Sequence, residues 1–374
     1  MFAFKRALQH GFSKNFVRQC SSKLNQPLSA DTMAFPGGIA TFMRLPYQKS
    51  AKGLDVGIIG IPIDIGTSNR PGTRFGPRQI RTESSLLRPC SASTGDEPFT
   101  ALQVADLGDI PFTLYDIVQA VADIKDFMLK VLEQNCIPVT IGGDHTISYP
   151  ILQAMKEKHG PVGLVHIDAH ADVSDSTMDC KVSHETPFRR AFDEGAIDPK
   201  RVVQIGLRGT TYTPKDYQWG ADEGFKVILA QDCWHTSMNP IMEDIRKQLG
   251  DGPVYMSLDI DSLDPCYAPG TGTPEIGGLT SIQVIEIIRG LQGLQLVGGD
   301  VVEVSPPYDL SGNTSLTAAN LVFEFLTILA RNKTGLGTQH SRKTNENNNV
   351  NKSEKEKSQG NGDTSQKAED SPNI

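Results

Sequence analysis

No uninterrupted apolar stretch in this 374-residue sequence approaches the roughly 18 residues that a membrane span requires. With 38% hydrophobic residues and a mean hydropathy of −0.28, the expectation is a soluble chain that can bury a core. Paired cysteines are also missing: Cys20, Cys90, Cys136, Cys180, Cys233 and Cys266 are scattered and form no CxxC unit, which reads as reduced thiols rather than a disulfide framework. No repeat of 20–50 residues is visible, so a solenoid or propeller is excluded.

Acidic residues are absent from positions 1–30, which carry Lys5, Arg6, Lys14, Arg18 and Lys23. Phe4, Ala7, Leu8 and Phe12 can share one helical face there, and no long apolar segment follows the charges. This pattern predicts a mitochondrial transit peptide over 1–30 rather than a secretory signal. Large apolar residues are nearly absent from 331–374, a stretch rich in Asn, Ser, Lys, Gln, Gly and Glu that cannot bury a core and is expected to be a disordered tail. The tail holds eight Lys/Arg and six Asp/Glu, so the formal net charge of −8, less the excess positive charge of the two ends, leaves −15 for residues 31–330. So acidic a body argues against nucleic acid as the partner. Bound cations, a cationic substrate or a solvated acidic surface each account for the excess.

What is present is an alternation of strand and helix. Near-continuous apolar runs predict strands at Leu54–Ile61, Ile137–Ile141, Val162–Ile167, Val202–Ile205, Lys226–Leu229, Pro253–Leu258 and Leu296–Val302. Helices are predicted at Pro77–Leu87, Leu114–Leu132, His145–Lys158, Pro240–Gln248, Ser281–Leu291 and Ser315–Leu329. Strands of this kind are covered on both faces, which gives an α/β fold: a three-layer α/β/α sandwich around a mostly parallel central sheet.

Three strands run straight into polar, metal-capable residues, and open parallel sheets gather ligands at the carboxyl ends of their strands. Ile137–Ile141 leads into Gly142–Gly143–Asp144–His145, where the glycines allow a tight exit and His145 opens a helix. Val162–Ile167 leads into Asp168, His170 and Asp172, spaced by two; if strand geometry continues, all three share a face. Two carboxylates and an imidazole on one face beside an apolar strand are unfavourable without a cation. Pro253–Leu258 leads into Asp259 and Asp261, with Asp264–Pro265 expected to form a turn and not a ligand. A thiolate-free set of carboxylates and imidazoles suits Mn²⁺ or related divalent ions better than structural zinc. Six ligands exceed what one ion needs, and two neighbouring ions can activate a water as a nucleophile.

The stretches GGDHT (142–146), HIDAHADV (166–173), SLDIDSLDPCYAPGTGTPEIGGLT (257–280), DVVEVSPPYD (300–309) and NRPGTRFGPRQIR (69–81) together resemble the ureohydrolases, the arginases and agmatinases and related guanidino-compound hydrolases. The likeness spans Phe42 to Leu329, with 42–330 as the catalytic domain, and leans towards the mitochondrial agmatinase-like branch. It implies two Mn²⁺ ions: one held by His145, Asp168, Asp172 and Asp259, the other by Asp168, His170, Asp259 and Asp261, with Asp168 and Asp259 bridging. It further implies that Glu303 grips the substrate guanidinium, that His184 shuttles a proton to the departing amine, and that Asp172 hydrogen-bonds the attacking nucleophile. A homo-oligomer, trimer or hexamer, is implied in the same way.

Two departures stand out. Glu185 follows His184 where the agmatinase pattern has glycine, and Ala171 follows His170 where threonine is common. A carboxylate facing the pocket at 185 would attract the ammonium of agmatine and repel the carboxylate of a guanidino acid. The readings are therefore hydrolysis of agmatine to putrescine and urea, or of a guanidino acid such as 4-guanidinobutanoate. A non-catalytic binding protein of the same fold is the alternative of another class; its expected trace is loss of metal ligands, and all six are present.

Overall fold

The computed structural model describes residues 24–213 and 216–335. Eight strands, β1 (Val56–Ile61), β2 (Val104–Asp109), β3 (Ile137–Gly142), β4 (Val162–Ile167), β5 (Ile197–Leu207), β6 (Lys226–Leu229), β7 (Pro253–Asp259) and β8 (Gln295–Val302), form one sheet in the order β2-β1-β3-β8-β7-β4-β5-β6. Every neighbouring pair runs parallel. The α-helices are α1 (Gly76–Glu83), α2 (Ile117–Glu133), α3 (Ser148–His159), α4 (Pro187–Asp193), α5 (Gln218–Asp222), α6 (Ala230–Cys233), α7 (Asn239–Leu249), α8 (Ser281–Gly290) and α9 (Asn313–Thr334).

Alternate strand residues feed two cores, as the twofold side-chain period of a strand requires. Val56, Ile58, Val139, Ile141, Val165 and Ile167 pack with Ile80 of α1, Met242 of α7, Val284 of α8 and Phe325 of α9. Ile59, Ile61, Val162 and Leu164 pack on the opposite face with Ile124 and Met128 of α2, Leu152 of α3 and Phe188 of α4. The three-layer sandwich expected from the sequence is thus present.

Each expected strand is found. The expectation missed β2, whose sequence VADLGD is half polar because Asp106 and Asp109 pair with Arg81 of α1. It also missed the seven-residue α4, too short to display a helical period. Helix α9 runs past the expected boundary at 330 to Thr334, held by Arg331 against Asp96 and Lys333 against Asp55. At the other end, Asn25 Nδ2 donates to Val104 O and Gln26 Nε2 to Phe99 O, so the chain already packs on the body before residue 30. The amphipathic stretch around Phe4–Phe12 and the tail beyond Gly335 lie outside the described residues. Cys90, Cys136, Cys180, Cys233 and Cys266 are free thiols, and among the described residues no helix is long and apolar enough to cross a membrane.

Candidate metal centre

Strands β3, β8, β7 and β4 are consecutive in the sheet, and their carboxyl ends are in step: Ile141 pairs with Val301, Asp259 with Val302, and Leu258 with Ile167. The residues that follow therefore emerge at one level. His145 comes from the turn after β3, Asp168–Asp172 from the loop after β4, Asp259 and Asp261 from the end of β7, and Glu303 from the end of β8. A methyl group on Gly143 would lie 2.2 Å from Ile63 O, so only glycine lets the β3 exit pass this close to the neighbouring chain.

The six expected ligand residues come together, though not by continued strand geometry. Strand β4 stops at Ile167, and Asp172 has a left-handed backbone, with φ of 53°. Strand β7 gives way to a 3₁₀ turn over Ile260–Ser262. The spacing of two converges because these loops curl over the sheet edge. A non-glycine residue with positive φ is a strained choice, and Asp172 and Glu303 (φ 64°) both adopt it inside the cluster.

His145 Nδ1 lies 2.9 Å from Asp172 Oδ2, 3.1 Å from Asp168 Oδ2 and 3.3 Å from Asp259 Oδ2. His170 Nδ1 lies 3.1 Å from Asp261 Oδ2 and 3.5 Å from Asp168 Oδ1. The two Asp168 oxygens thus face two different imidazoles. Ligand atoms of Asp168, His170 and Asp261 fall within 4.8 Å of one another, as do those of His145, His166, Asp168 and Asp172. His166 was not expected at the centre. The signal was in the sequence: an imidazole inside the fully buried strand VGLVHI. Gln204, Ser257 and Asp300 are likewise polar residues on buried strand positions, and all three serve this site.

The donor chemistry fits a cation. Asp300 accepts from Ser257 Oγ at 2.7 Å, which uses the single hydroxyl proton of Ser257. Ser257 must therefore accept from His145 Nε2, 2.8 Å away, which leaves Nδ1 of a neutral ring as a lone pair. That Nδ1 is buried, has no hydrogen-bond partner and points at three carboxylates. Burial disfavours a charged ring, yet the carboxylates of Asp168, Asp172 and Asp259 close to Nδ1 push the His145 pKa well above its usual value. Burial, then the charges of Asp261 and Asp168, push Asp259 well up; burial and Asp168 raise Asp172. Carboxylates packed this closely in a buried site demand positive charge among them, which a bound cation would supply. Asp264 is no part of it: its carboxylate accepts the backbone N–H groups of Cys266, Gly277 and Gly278, as expected for a turn.

Beside the cluster, Glu303 Oε1 accepts from His145 N at 2.9 Å and faces His184 Nδ1 at 3.0 Å. Glu303 Oε2 is buried and has no hydrogen-bond partner, and a side chain at Gly272 would stand 3.4 Å in front of it. The outer nitrogen of His184 takes the backbone N–H of Ser68 at 3.0 Å. Burial works to lower the His184 pKa, but the charge and hydrogen bond of Glu303 raise it to about 9. Glu185 is 39% exposed at its side chain; Oε2 accepts from Thr177, and Oε1 lies 3.9 Å from His184 Nε2. Its carboxylate thus borders the histidine.

A family model described as the arginase family matches residues 54–327. The mitochondrial agmatinase of Gallus gallus is 55% identical over 314 residues, 84% of this chain and 92% of that protein. The mitochondrial guanidino acid hydrolase of Homo sapiens is 56% identical over 307 residues, 82% of this chain and 87% of that protein. Among solved structures, the proclavaminate amidino hydrolase of Streptomyces clavuligerus superimposes with a TM-score of 0.77 at 41% identity, covering 80% of this chain and 99% of that one. With the family model matched over 54–327, this extent of identity and a His/Asp cluster at its strand ends, the chain belongs to the arginase family and is a metal-dependent hydrolase of amidine carbon–nitrogen bonds.

Proposed function

We propose that the protein hydrolyses a linear guanidino compound to urea and an amine, agmatine to putrescine and urea foremost, with two Mn²⁺ ions as cofactor. The observation that carries this reading is the buried, unpartnered Oε2 of Glu303 beside the His/Asp cluster. A buried carboxylate oxygen is costly unless a cation meets it, and a planar guanidinium can meet it with paired N–H donors.

In this reading His145, Asp168, Asp172 and Asp259 hold one ion, and Asp168, His170, Asp259 and Asp261 the other. Two such ions supply Lewis acidity: they lower the pKa of a water and orient it as a nucleophile. Glu303 fixes the guanidinium with its central carbon towards the cluster. Asp172 accepts a hydrogen bond from the nucleophile and sets its direction. His184, held by Glu303 on one ring nitrogen and Ser68 on the other, delivers a proton to the departing amine. The balance is R–NH–C(NH₂)₂⁺ + H₂O → R–NH₃⁺ + CO(NH₂)₂, with no net proton.

The tail of the substrate turns on Glu185. A carboxylate bordering the site favours a cationic tail, hence agmatine. The 56% identity to a guanidino acid hydrolase favours the second reading, a guanidino acid. We take 42–330 as the catalytic domain. The mitochondrial names of the relatives support mitochondrial targeting, with the leader ending before Asn25, which packs on the body. Assembly as a trimer or hexamer is carried from the family resemblance, and sedimentation tests it.

Metal analysis together with a urea assay across agmatine, arginine and guanidino acids tests the whole. Release of urea from a guanidino substrate by the Mn²⁺-loaded protein is expected, and loss of metal and turnover together in Asp259→Ala. Full urea production by metal-stripped Asp259→Ala protein would overturn it.

A further inference from the structure

His166 stands near enough to the cluster to pass for a metal ligand, but its hydrogen bonds fix it in another role. Its ring is fully buried on β4 and packs against Phe188, with ring centroids 4.2 Å apart and planes tilted by 47°. Nε2 lies 2.7 Å from Asp168 Oδ2, and Nδ1 lies 3.0 Å from the amide nitrogen of Gln204 on β5. The same amide nitrogen is 2.7 Å from the carbonyl oxygen of Ala171.

These three contacts determine the protons. A backbone carbonyl only accepts, so the Gln204 atom facing Ala171 is the NH₂ group and not the amide oxygen. Its second hydrogen then points at His166 Nδ1, which must present a lone pair. A neutral imidazole carries one proton, so it sits on Nε2 and is donated to Asp168. Neither ring nitrogen has a free lone pair.

We infer that His166 is a positioning residue: a tautomer-fixed hydrogen-bond donor that orients the carboxylate of Asp168, whose two oxygens face two different imidazoles of the cluster, with Gln204 setting the tautomer. The inference rests on the reading of a metal centre and adds to it. One lone-pair direction of Asp168 Oδ2 is taken by His166, which leaves the other towards His145. Asp168 Oδ1 accepts the backbone N–H of His170 at 2.7 Å and is turned towards the second imidazole. Gln204 also anchors the loop at Ala171, next to the strained backbone of Asp172. A single amide on β5 thereby holds in register a shared carboxylate and the loop bearing two further members of the cluster.

The test is ¹⁵N-histidine NMR of the full chain loaded with Zn²⁺, a diamagnetic stand-in for Mn²⁺. The His166 signals are assigned by their loss in His166→Gln. The expected spectrum has Nε2 protonated and Nδ1 bare, and an unprotonated Nε2 in metal-loaded protein overturns the inference. Calorimetric Mn²⁺ titration gives a second readout. His166→Phe, which keeps the ring packing and removes the donor, should weaken binding about 10–100-fold. His166→Gln, whose amide nitrogen reaches the same place, should recover most of it. Equal loss in both variants counts against a donor. Failure of the wild type to take up any Mn²⁺ sinks the metal centre itself, a result distinct from a wrong tautomer in protein that binds metal.

Discussion

Ser257 Oγ lies 2.8 Å from His145 Nε2 and donates its own hydrogen to Asp300, so a serine on β7 accepts from the far nitrogen of the ring that faces three carboxylates and holds that ring's proton on Nε2. Asp300 is fully buried and also accepts from Tyr255 at 2.7 Å and Ser148 at 2.8 Å, so the serine cannot reverse its bond without stranding a carboxylate oxygen. Ser257→Ala removes the acceptor for Nε2–H and one donor to Asp300. The expected result is Mn²⁺ affinity lower by about 10–100-fold, as when such supporting groups are lost elsewhere. A stability loss of about 1–3 kcal/mol should accompany it, from the unpaired buried oxygen. Calorimetric metal titration and urea denaturation measure the two, and unchanged metal affinity would refute the assignment of the tautomer.

Removal of metal should destabilise the fold as well as stop turnover. Asp168, Asp172, Asp259 and Asp261 converge in a buried site, and binding of an ion to the folded chain alone stabilises it by RT ln(1 + [L]/Kd). At a hundredfold excess over Kd this is about 2.7 kcal/mol per ion, enough to move Tm by several degrees. Differential scanning calorimetry with and without chelator should show the drop. Asp259→Ala, with one ligand gone, should melt at nearly the same temperature in both conditions.

Much of this site was legible in the sequence because its residues follow apolar strands, and strand ends of a parallel sheet meet in space. His145, Asp168, His170, Asp172, Asp259 and Asp261 all follow such strands, and the structure brings them together. The spacing of two suggests a strand period, whereas Asp172 reaches the site through a left-handed backbone that periodicity cannot reveal. The supporting shell was hidden differently. His166, Gln204, Ser257 and Asp300 sit on four different strands and acquire meaning only from the register that sets them side by side. His184 and Glu303 are 119 positions apart, so their contact could be supplied by family resemblance but not by spacing.

Glu185→Gln should change which tail the pocket accepts. Glutamine can still accept from Thr177, so the loop keeps its bond while the charge beside His184 is lost. A half-exposed carboxylate a few ångströms from a substrate charge is worth roughly 0.5–1 kcal/mol, so the preference for agmatine over 4-guanidinobutanoate in kcat/KM should fall by about two- to fivefold. Paired kinetics on the two substrates measure the ratio. An unchanged ratio would show that the tail lies elsewhere and that this departure from glycine has no part in selection.

Asp264 offers the complementary case, a carboxylate near the cluster in sequence that should matter for stability and not for metal. Burial alone would raise its pKa, but the backbone N–H groups of Cys266, Gly278 and Gly277 hold it down to about 2. In Asp264→Asn one arm becomes an NH₂ group facing an N–H donor, since Oδ1 serves Cys266 while Oδ2 serves both glycines. The cost should be about 1–2 kcal/mol at neutral pH, with Mn²⁺ content unchanged. The sign follows from linkage. A folded pKa below the unfolded value of about 3.9 stabilises the protein above that value, and the advantage is lost as pH falls through about 2. The stability gap between wild type and Asp264→Asn should therefore narrow as denaturation is followed from pH 5 downwards. A gap that stays constant with pH, or a loss of bound metal in the variant, would contradict the role of Asp264 as the clasp of this turn.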